Sequence, residues 1–471
     1  MLELPLDALG ELQSVLGDEL FAVGGAVRDL LLGRPIGDVD LATPLLPQEV
    51  MDRAKGRLRA IPTGLKHGTI TLLARDQSFE ITTFRSDGDY LDGRRPESVK
   101  LGVALEKDLA RRDFTINAMA LPVSALHSPE WKQQLVDPFG GQRDLERGTL
   151  RAVGDPLKRF AEDGLRPYRA CRFAAQLDFE LEPETLAAVP LRLDVSRKVA
   201  VERVFVELNK LLCSLHPAKG LRLLEQSGLL DLALPELRAM VACQQNHHHR
   251  FDVWEHTLAA FEAEATGASD LRWAILLHDV GKPGAMTTDE EGVRHFYGHE
   301  GHSTEMADAI LRRLKTSNPF RARVTALIAL HGIHPEPEWT DAAFRRLLKR
   351  LNDADIAPET WERLQRADQF GKGWATLDRL PDGRTGSEWW ASRLQAGAWA
   401  VQRLEALRAP GLSVKELALD GHALMRIAQR SGGPWLSELQ NHLLDQVLED
   451  PATNAPDRLQ ELAAAWIARR G

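Results

Sequence analysis

The sequence has few of the features that mark secreted or membrane-bound proteins. Only three cysteines occur in 471 residues, and their wide spacing excludes a disulfide framework and a zinc knuckle. No apolar run reaches the length of a membrane span. Residues 1–20 have no basic segment ahead of an apolar one, so they do not resemble a signal peptide. We therefore expect a cytoplasmic protein with reduced thiols and no membrane partner.

Excess positive charge is also missing. The net charge is −9, which argues against a protein held on nucleic acid by bulk positive charge, although a local basic groove remains compatible with it. We find no internal repeat and no low-complexity tract. The length allows several domains, and a composition with 44% hydrophobic and 27% charged residues is ordinary for a globular protein.

One N-terminal stretch has the pattern of a phosphate-binding turn beside paired acids. Gly24 and Gly25 follow an apolar strand-like segment, and Arg28 adds a cation. Asp38 and Asp40 stand two residues apart in a predicted strand, where both carboxylates share a face. Two close carboxylates repel unless a cation lies between them, and Mg²⁺ prefers such oxygen ligands. The stretch predicts metal-dependent phosphoryl or nucleotidyl transfer.

Two further segments of the N-terminal part contribute candidate residues. Residues 68–73 and 79–84 predict paired strands, in which Glu80 is either a third carboxylate beside the acid pair or an exposed strand charge. The charged loop 86–100 contains Arg94 and Arg95 and is interpreted as a lid around a substrate or as a solvated loop.

Arginines recur in two predicted helices. Arg111 and Arg112 stand where a helix is expected to begin and could clamp phosphates bidentately. Further along, one acid and three arginines recur every three residues, which places them on one helix face: Asp163, Arg166, Arg169 and Arg172. Such a stripe could pair with base edges and phosphates together, or could form a salt-bridged surface.

A different constellation occupies residues 247–368. Imidazoles and carboxylates are spread over several predicted helices, namely His256, His278, Asp279, His299, His331 and Asp368. The doublet His278-Asp279 ends an apolar helix, where a bare charge is costly. This donor set suits a divalent transition metal, in a site that is either structural or hydrolytic. The tract 247–249 is expected in an exposed loop.

These motifs, in this order, resemble those of the bacterial class II tRNA nucleotidyltransferases, the CCA-adding enzymes and their poly(A) polymerase relatives. The matching segments are Gly24–Asp29 with Asp38 and Asp40, Arg111–Ala118, Asp137–Gly141, and Glu162-Asp163 with Arg166. The set His256, His278, Asp279 and Asp368 resembles the HD phosphohydrolase domain of some members. The resemblance spans nearly the whole chain.

The resemblance implies roles for individual residues. Asp38 and Asp40 would hold Mg²⁺, and the triphosphate would be bound by Gly25, Arg28 and Arg111 or Arg112. Asp163 and Arg166 would read the edge of the incoming base, with Arg169 and Arg172 on phosphate or ribose. Arg94 and Arg95 would belong to the flexible loop that helps the switch from CTP to ATP. The four HD residues would hold a metal ion, for which a transition metal is expected.

The resemblance also implies an α+β fold class. A polymerase-β-like nucleotidyltransferase head with a mixed α/β sheet is expected at 1–150, followed by an all-α neck with the template motif at 151–215. A helical body containing the HD module would follow at 216–380, and a helical tail that binds tRNA at 381–471. We further expect the basic residues to collect on one face, since the whole chain is acidic.

The implied function is addition of CCA to the tRNA 3′ end from CTP and ATP, without a nucleic-acid template. Gly164, Pro167 and Asp178 depart from the family pattern and leave open an A-adding enzyme, which would need a separate CC-adding partner. The motifs are also compatible with a poly(A) polymerase, with an HD-type metal-dependent phosphohydrolase whose head only binds RNA, and with a non-catalytic RNA-binding protein.

Overall fold

A computed structural model describes residues 4–88, 99–264, 267–408 and 413–470 of the chain. The chain divides into two compact units, Met1–Pro235 and Glu236–Gly471. No helix within those described ranges combines the length and the apolarity that crossing a membrane requires. The finer division into head, neck, body and tail, with tRNA contacts at 381–471, stays a prediction.

The strands of the first unit are short, with two to seven residues each. They are β1 Phe21–Val23, β2 Leu41–Thr43, β3 Arg59–Gly64, β4 Thr69–Ala74, β5 Gln77–Thr83, β6 Arg85–Asp87, β7 Val99–Leu101, β8 Ala120–Pro122, β9 Thr149–Leu150 and β10 Glu180–Leu181. Six of them form a mixed sheet in the order β3-β4-β5-β2-β1-β8. The predicted pairing of the two β-rich segments is confirmed, because β4 and β5 are antiparallel neighbours.

The helices of the first unit flank this sheet and then follow it in sequence. They are α1 Leu6–Leu16, α2 Gly25–Leu31, α3 Pro47–Ala54, α4 Leu105–Ala110, α5 Gly141–Glu146, α6 Pro156–Glu162, α7 Arg166–Leu177, α8 Pro183–Ala188, α9 Leu193–Ser196, α10 Val201–Leu212, α11 Pro217–Gln226 and α12 Leu229–Ala233. A mixed sheet followed by helices is the predicted α+β arrangement. Pro167 stands in the first turn of α7, a position that tolerates its missing N–H.

The second unit is almost wholly helical. Its helices are α13 Val253–Ala260, α14 Ser269–Leu277, α15 Lys282–Ala285, α16 His299–Arg313, α17 Asn318–Leu330, α18 Asp341–Asp353, α19 Pro358–Gly371, α20 Gly386–Ala406, α21 Gly421–Ala428, α22 Pro434–Glu449 and α23 Pro456–Arg470, with a hairpin of β11 Thr287–Thr288 and β12 Arg294–His295. The tract 247–249 lies in a loop, where the first two side chains are exposed, as predicted.

Strand register brings the glycine turn and the acid pair to one edge of the sheet. β1 and β2 are antiparallel, so the end of β1 at Val23 lies beside the start of β2 at Leu41. The Val23 N–H donates to the Asp40 carbonyl at 3.0 Å. β2 and β5 are parallel, with Leu41 opposite Ile81. Glu80 therefore lies beside the residues that directly precede β2. Long-range strand pairing thus assembles residues that are far apart in sequence.

Three local predictions are wrong in detail. The acid pair precedes β2 instead of lying within a strand, although buried Val39 still separates two exposed carboxylates. Arg111 caps the C-terminal end of α4, so the predicted helix start is a helix end followed by a short 3-10 turn. Asp163 lies between α6 and α7 with extended φ and ψ angles, so only the three arginines share the helix.

Candidate active site and histidine-aspartate centre

The glycine turn is shaped by what lies directly against it. Gly24 has φ +71°, a conformation that side chains disfavour, and it precedes the first turn of α2. A Cβ at Gly24 would lie 2.8 Å from Arg112 Nη1 and 3.9 Å from Asp40 Oδ2. The turn therefore packs between a guanidinium and a carboxylate that both face the same cleft.

The acid pair presents a donor set suited to a hard divalent cation. Asp38 and Asp40 are both exposed and line one cleft of about 680 Å³ in the first unit. Partial burial raises the pKa of Asp40, Arg112 opposes that shift, and the neighbouring Asp38 adds to it. The site thus holds closely spaced carboxylate oxygens, which are the ligands that Mg²⁺ prefers. Glu80 is exposed on β5 and is absent from the described lining of the cleft.

The same cleft collects most of the predicted basic residues. It is lined by Arg28, Arg85, Arg111, Arg112, Arg166, Arg169, Arg172, Arg203 and Lys210. The prediction that the basic residues share a face is thus confirmed for Arg111, Arg112 and the three arginines of α7. The predicted loop residues Arg94 and Arg95 lie outside the described residues. An acidic chain can therefore still offer a cationic cleft to phosphates.

A buried hydrogen-bond network holds Arg28 in place. Arg28 donates from Nε and Nη2 to Asp29 at 2.9 and 2.8 Å, and from Nη1 to Asn117 Oδ1 at 2.9 Å. Asn117 Nδ2 donates to Asp113 Oδ1 at 3.1 Å, and Arg169 Nε donates to Asp113 Oδ2 at 2.7 Å. Arg28 and Arg169 are therefore connected through a single carboxylate.

Two arginines of α7 make more contacts with other protein groups than the sequence pattern predicts. Arg166 is 8% exposed and donates to Glu162 Oε2 at 2.5 Å and to the Arg111 carbonyl at 2.9 Å. Arg172 is 6% exposed, pairs with Glu207 Oε2 at 2.5 Å and lies 3.8 Å from the centre of the Phe173 ring. These contacts fix the orientation of both guanidiniums along one wall of the cleft.

Helix α10 contributes residues that sequence reasoning missed. Arg203 Nη2 donates to Asp163 Oδ2 at 3.1 Å, while the Leu165 N–H donates to Asp163 Oδ1 at 3.0 Å. Arg203 and Lys210 both line the cleft. Their spacing, with Glu207 between them, is the 3–4 residue spacing of one helix face, and this signal could have identified them.

The predicted HD residues come together in the second unit. One ligating atom from each of His256, His278, Asp279 and Asp368 lies within 4.8 Å of the others, and all four residues are buried. His256 Nε2 is 3.1 Å from His278 Nε2 and 3.3 Å from both Asp279 Oδ2 and Asp368 Oδ1. Converging imidazole and carboxylate atoms at these distances form a donor set that fits a divalent transition metal.

A second group of residues extends this centre. Asp279, His299 and His331 also bring ligating atoms within 4.8 Å of one another. They line a cleft of about 380 Å³ together with Lys282 and His249, the half-buried last residue of the histidine tract. Burial lowers the pKa of His331 to about 4, which keeps its imidazole neutral at pH 7.

Comparison with known families covers both units. Residues 20–151 match the poly A polymerase head domain, residues 178–240 match a probable RNA- and SrmB-binding site of polymerase A, and residues 216–368 match the HD domain. The first match contains the acid pair and the glycine turn, and the third contains the histidine-aspartate centre.

Curated proteins and solved structures resemble nearly the whole chain. A CCA-adding enzyme of Geobacillus thermodenitrificans is 33% identical over 96% of this chain and 94% of its own length. One of Geobacillus stearothermophilus is 32% identical over 98% and 96%. The crystal structure of the Bacillus stearothermophilus CCA-adding enzyme in complex with CTP matches with a TM-score of 0.67 and 28% identity, covering 99% of this chain and 98% of that one.

Proposed function

This chain belongs to the family of the CCA-adding enzymes, and we propose that it builds the CCA end of tRNA from CTP and ATP without a nucleic-acid template. It has the polymerase-β-like nucleotidyltransferase head of that family, whose members use divalent metal ions. The observation that carries the proposal is the single cleft in which the acid pair, the glycine turn and the arginines of α7 meet.

In this proposal Asp38 and Asp40 hold Mg²⁺, and Glu80 is the candidate third carboxylate. The fit rests on two exposed carboxylates on either side of a buried valine, facing one cleft. When bound, the metal activates the attacking 3′-hydroxyl and stabilises the pyrophosphate leaving group. The chain itself positions these carboxylates through the pairing of β1 with the backbone of Asp40.

The triphosphate is assigned to the turn and to the cations around it. Gly25 lets the backbone approach the phosphates, and Arg28 is held towards the cleft by Asp29 and Asn117. Arg111 and Arg112 sit at the C-terminal end of α4 and line the same cleft. A guanidinium whose orientation is fixed by a carboxylate binds phosphate oxygens with less loss of side-chain entropy.

Base selection is assigned to Asp163 and Arg166, which lie on the wall of the cleft. A carboxylate accepts and a guanidinium donates, so together they can distinguish the edges of cytosine and adenine from those of other bases. Arg203 holds Asp163, and Glu162 holds Arg166. Arg169 and Arg172 extend the wall and are assigned to phosphate or ribose.

Substitution of the acid pair tests the site directly. We expect Asp38→Asn and Asp40→Asn to lose nucleotide transfer by at least about a thousandfold while the chain keeps its fold, because both side chains are exposed. Asp194→Asn is the matched control, since Asp194 is also exposed, lies on α9 and is absent from the described lining of the cleft. Transfer retained in either site variant would contradict the assignment.

A second candidate activity belongs to the histidine-aspartate centre. The four buried ligating residues favour a metal-dependent phosphohydrolase as an additional function. If phosphate-ester hydrolysis were the main activity and the head only bound RNA, Asp279→Ala would remove the main activity and Asp38→Asn would not. The proposal expects the reverse for nucleotide transfer, which Asp279→Ala should leave in place.

A further inference from the structure

A further cavity of the second unit lies between α19, α20 and the loop that follows α17, and we call it the α19–α20 pocket. Its volume is about 90 Å³, which has room for about six to nine water molecules, or for one nucleobase, whose bonded atoms lie closer together. Its apolar lining includes Ile333, Pro335, Ala396 and Ala400. Apolar walls with a few converging polar groups are typical of a small-molecule pocket.

Gln365 offers this pocket a buried acceptor without a partner. It is 8% exposed and lines the pocket. Its Nε2 donates to the Leu330 carbonyl at 3.1 Å. Because a carbonyl only accepts, this hydrogen bond fixes which end of the amide is the oxygen. Gln365 Oε1 has no hydrogen-bond partner among the described residues, and such an oxygen costs free energy until a donor reaches it.

Glu362 supplies a second acceptor, one helical turn before Gln365 on the same face of α19. Its carboxylate lies 3.7 Å from Arg366 Nη1, which is beyond hydrogen-bond distance. Burial raises the pKa of Glu362, and Arg366 opposes that shift. A Cβ at Gly397 would lie 2.6 Å from Glu362 Oε1. The glycine of α20 therefore leaves the space that the carboxylate occupies.

The charges around the pocket favour a neutral amine as the ligand. Two acceptors require a ligand that presents N–H groups. Arg366 and Arg393 also line the pocket, and their positive charge disfavours an ammonium ion. A neutral exocyclic amine on a flat ring, as in adenine, cytosine and guanine, meets both conditions. Apolar walls suit the faces of such a ring.

The α19–α20 pocket adjoins the cleft of the histidine-aspartate centre. His334 lines both of them. Gln369 also lines the pocket, and its Nε2 donates to Asp368 Oδ2 at 3.1 Å. Lys282 and Lys372 line the adjoining cleft, where their charge suits a phosphate. A ligand that carries both an amino-bearing base and a phosphate is a nucleotide, either free or at the end of an RNA.

We propose that the α19–α20 pocket binds the amino-bearing base of a nucleotide, with Gln365 and Glu362 as its acceptors, and that the phosphate lies in the adjoining cleft. The place of the phosphate rests on the proposal that the histidine-aspartate centre acts on phosphate esters, whereas the base pocket does not depend on it. All residues that line the pocket belong to the second unit, so it is a different site from the cleft of the head.

Equilibrium dialysis of the full chain with adenosine, cytidine, guanosine and uridine tests the base pocket without a phosphate and without an activity assay. We expect uridine, which lacks an exocyclic amine, to bind at least about tenfold more weakly than the other three. Gly397→Ala should weaken the binding of those three at least about tenfold, because the added methyl group displaces Glu362. Binding that remains in this variant belongs to the head.

Two further variants make this test specific. Gly301→Ala is the matched control, since Gly301 lies on α16 with nothing within 4 Å of an added Cβ, and it should bind nucleosides as wild type does. Gln365→Leu removes the acceptor without a partner and should weaken binding as Gly397→Ala does. The Leu330 carbonyl keeps a hydrogen bond from Trp361 Nε1 at 3.0 Å, so we expect this variant to fold, which circular dichroism checks.

The outcomes separate the base pocket from the activity beside it. Equal binding of the four nucleosides, or binding that neither pocket variant weakens, would overturn the pocket. Adenosine monophosphate should bind more tightly than adenosine, and equal binding would overturn the place of the phosphate. A short RNA that ends in A and binds more tightly than the monophosphate would identify an RNA end as the ligand, and the reverse order a free nucleotide.

Hydrolysis of p-nitrophenyl phosphate, which has no nucleobase, distinguishes failure of the pocket from failure of the phosphohydrolase. Hydrolysis by a chain that binds no nucleoside in the second unit would overturn the pocket and keep the second candidate activity. Nucleoside binding that Gly397→Ala weakens, in a chain that hydrolyses no phosphate ester with Co²⁺, would keep the pocket and overturn that activity.

Discussion

Asp113 accepts hydrogen bonds from Arg169 through one carboxylate oxygen, at 2.7 Å from Nε and 2.6 Å from Nη2. The other oxygen of Asp113 accepts from Asn117, which in turn accepts from Arg28. One buried acid therefore sets the position of a cation on α7 and, through Asn117, of a cation beside the glycine turn. Two walls of the proposed nucleotide site depend on it.

Asp113→Asn should destabilise the first unit by about 2–3 kcal/mol, because it leaves Arg169 without its buried anionic partner. Burial alone would raise the pKa of Asp113, but Arg169 and Asn117 outweigh it and lower the pKa well below the usual value. A lowered folded pKa gives stability that is complete above the unfolded value near 3.9 and declines below it. Urea unfolding should show a constant difference from wild type between pH 7 and about 4, which shrinks in stronger acid.

The control for this prediction is Asp194→Asn, which changes an exposed acid and should leave the urea midpoint in place. If Asp113→Asn were as stable as wild type at pH 7, or if the difference grew in acid, the network would not have the role assigned to it.

Gly24→Ala should cost both stability and activity. A side chain at φ +71° is strained by about 1–2 kcal/mol, and its Cβ would meet Arg112 Nη1 at 2.8 Å. Gly33→Ala is the matched control, since Gly33 has φ +66° with nothing within 4 Å of an added Cβ. The midpoint temperature of thermal unfolding should fall in both variants, whereas nucleotide transfer should fall at least about tenfold only in Gly24→Ala. Equal activity in the two variants would contradict the assignment of Arg112 to the site.

Arg203→Ala should loosen base selection and leave the fold intact. Arg203 acts as a positioning residue because it holds Asp163 at 3.1 Å. Losing a hydrogen bond between charged groups costs about 1.5–3 kcal/mol, or about 10- to 100-fold in kcat/KM for CTP and ATP. The discrimination against GTP and UTP should fall with it, which a purely structural role would not produce. Arg203→Lys should recover part of the loss, and Arg197→Ala, an exposed change before α10, should have no effect.

Chelation should stop nucleotide transfer. Asp38 and Asp40 face the cleft as two close carboxylates whose mutual repulsion a divalent ion relieves. EDTA should therefore abolish primer extension, and Mg²⁺ added in excess should restore it. Extension that continues in EDTA after exhaustive dialysis would contradict the proposed magnesium site.

Local patterns predicted the parts of the site that a few neighbouring residues determine. The glycine turn needs a conformation that side chains disfavour, and an apolar helix that ends in a His-Asp doublet needs partners for the buried charge. The acid pair was also predicted from a few neighbouring residues, although it lies before β2 and not within it. The error is small because alternate side chains still face the same way in extended backbone.

Long-range partners could not be predicted in this way. Asp113 and Arg169 are 56 residues apart, and Asp163 and Arg203 are 40 apart. No periodicity connects such residues, since tertiary packing alone brings them together. The same holds for Asp279, whose second oxygen faces His299 and His331 from other helices. The sequence pattern predicted these histidines as candidate ligands, but it gave no information on which carboxylate oxygen of Asp279 each of them faces.

The most direct measurement is the sequence of the 3′ ends made on two tRNA transcripts, one ending before CCA and one ending in CC, with Mg²⁺ and with CTP, ATP or both. The account predicts complete CCA on the first transcript when both nucleotides are present, and a single A on the second. Extension of the second transcript alone, only with ATP, would contradict it and identify an A-adding enzyme. Long A tails would identify a poly(A) polymerase instead, and no extension of either transcript would overturn the proposed function.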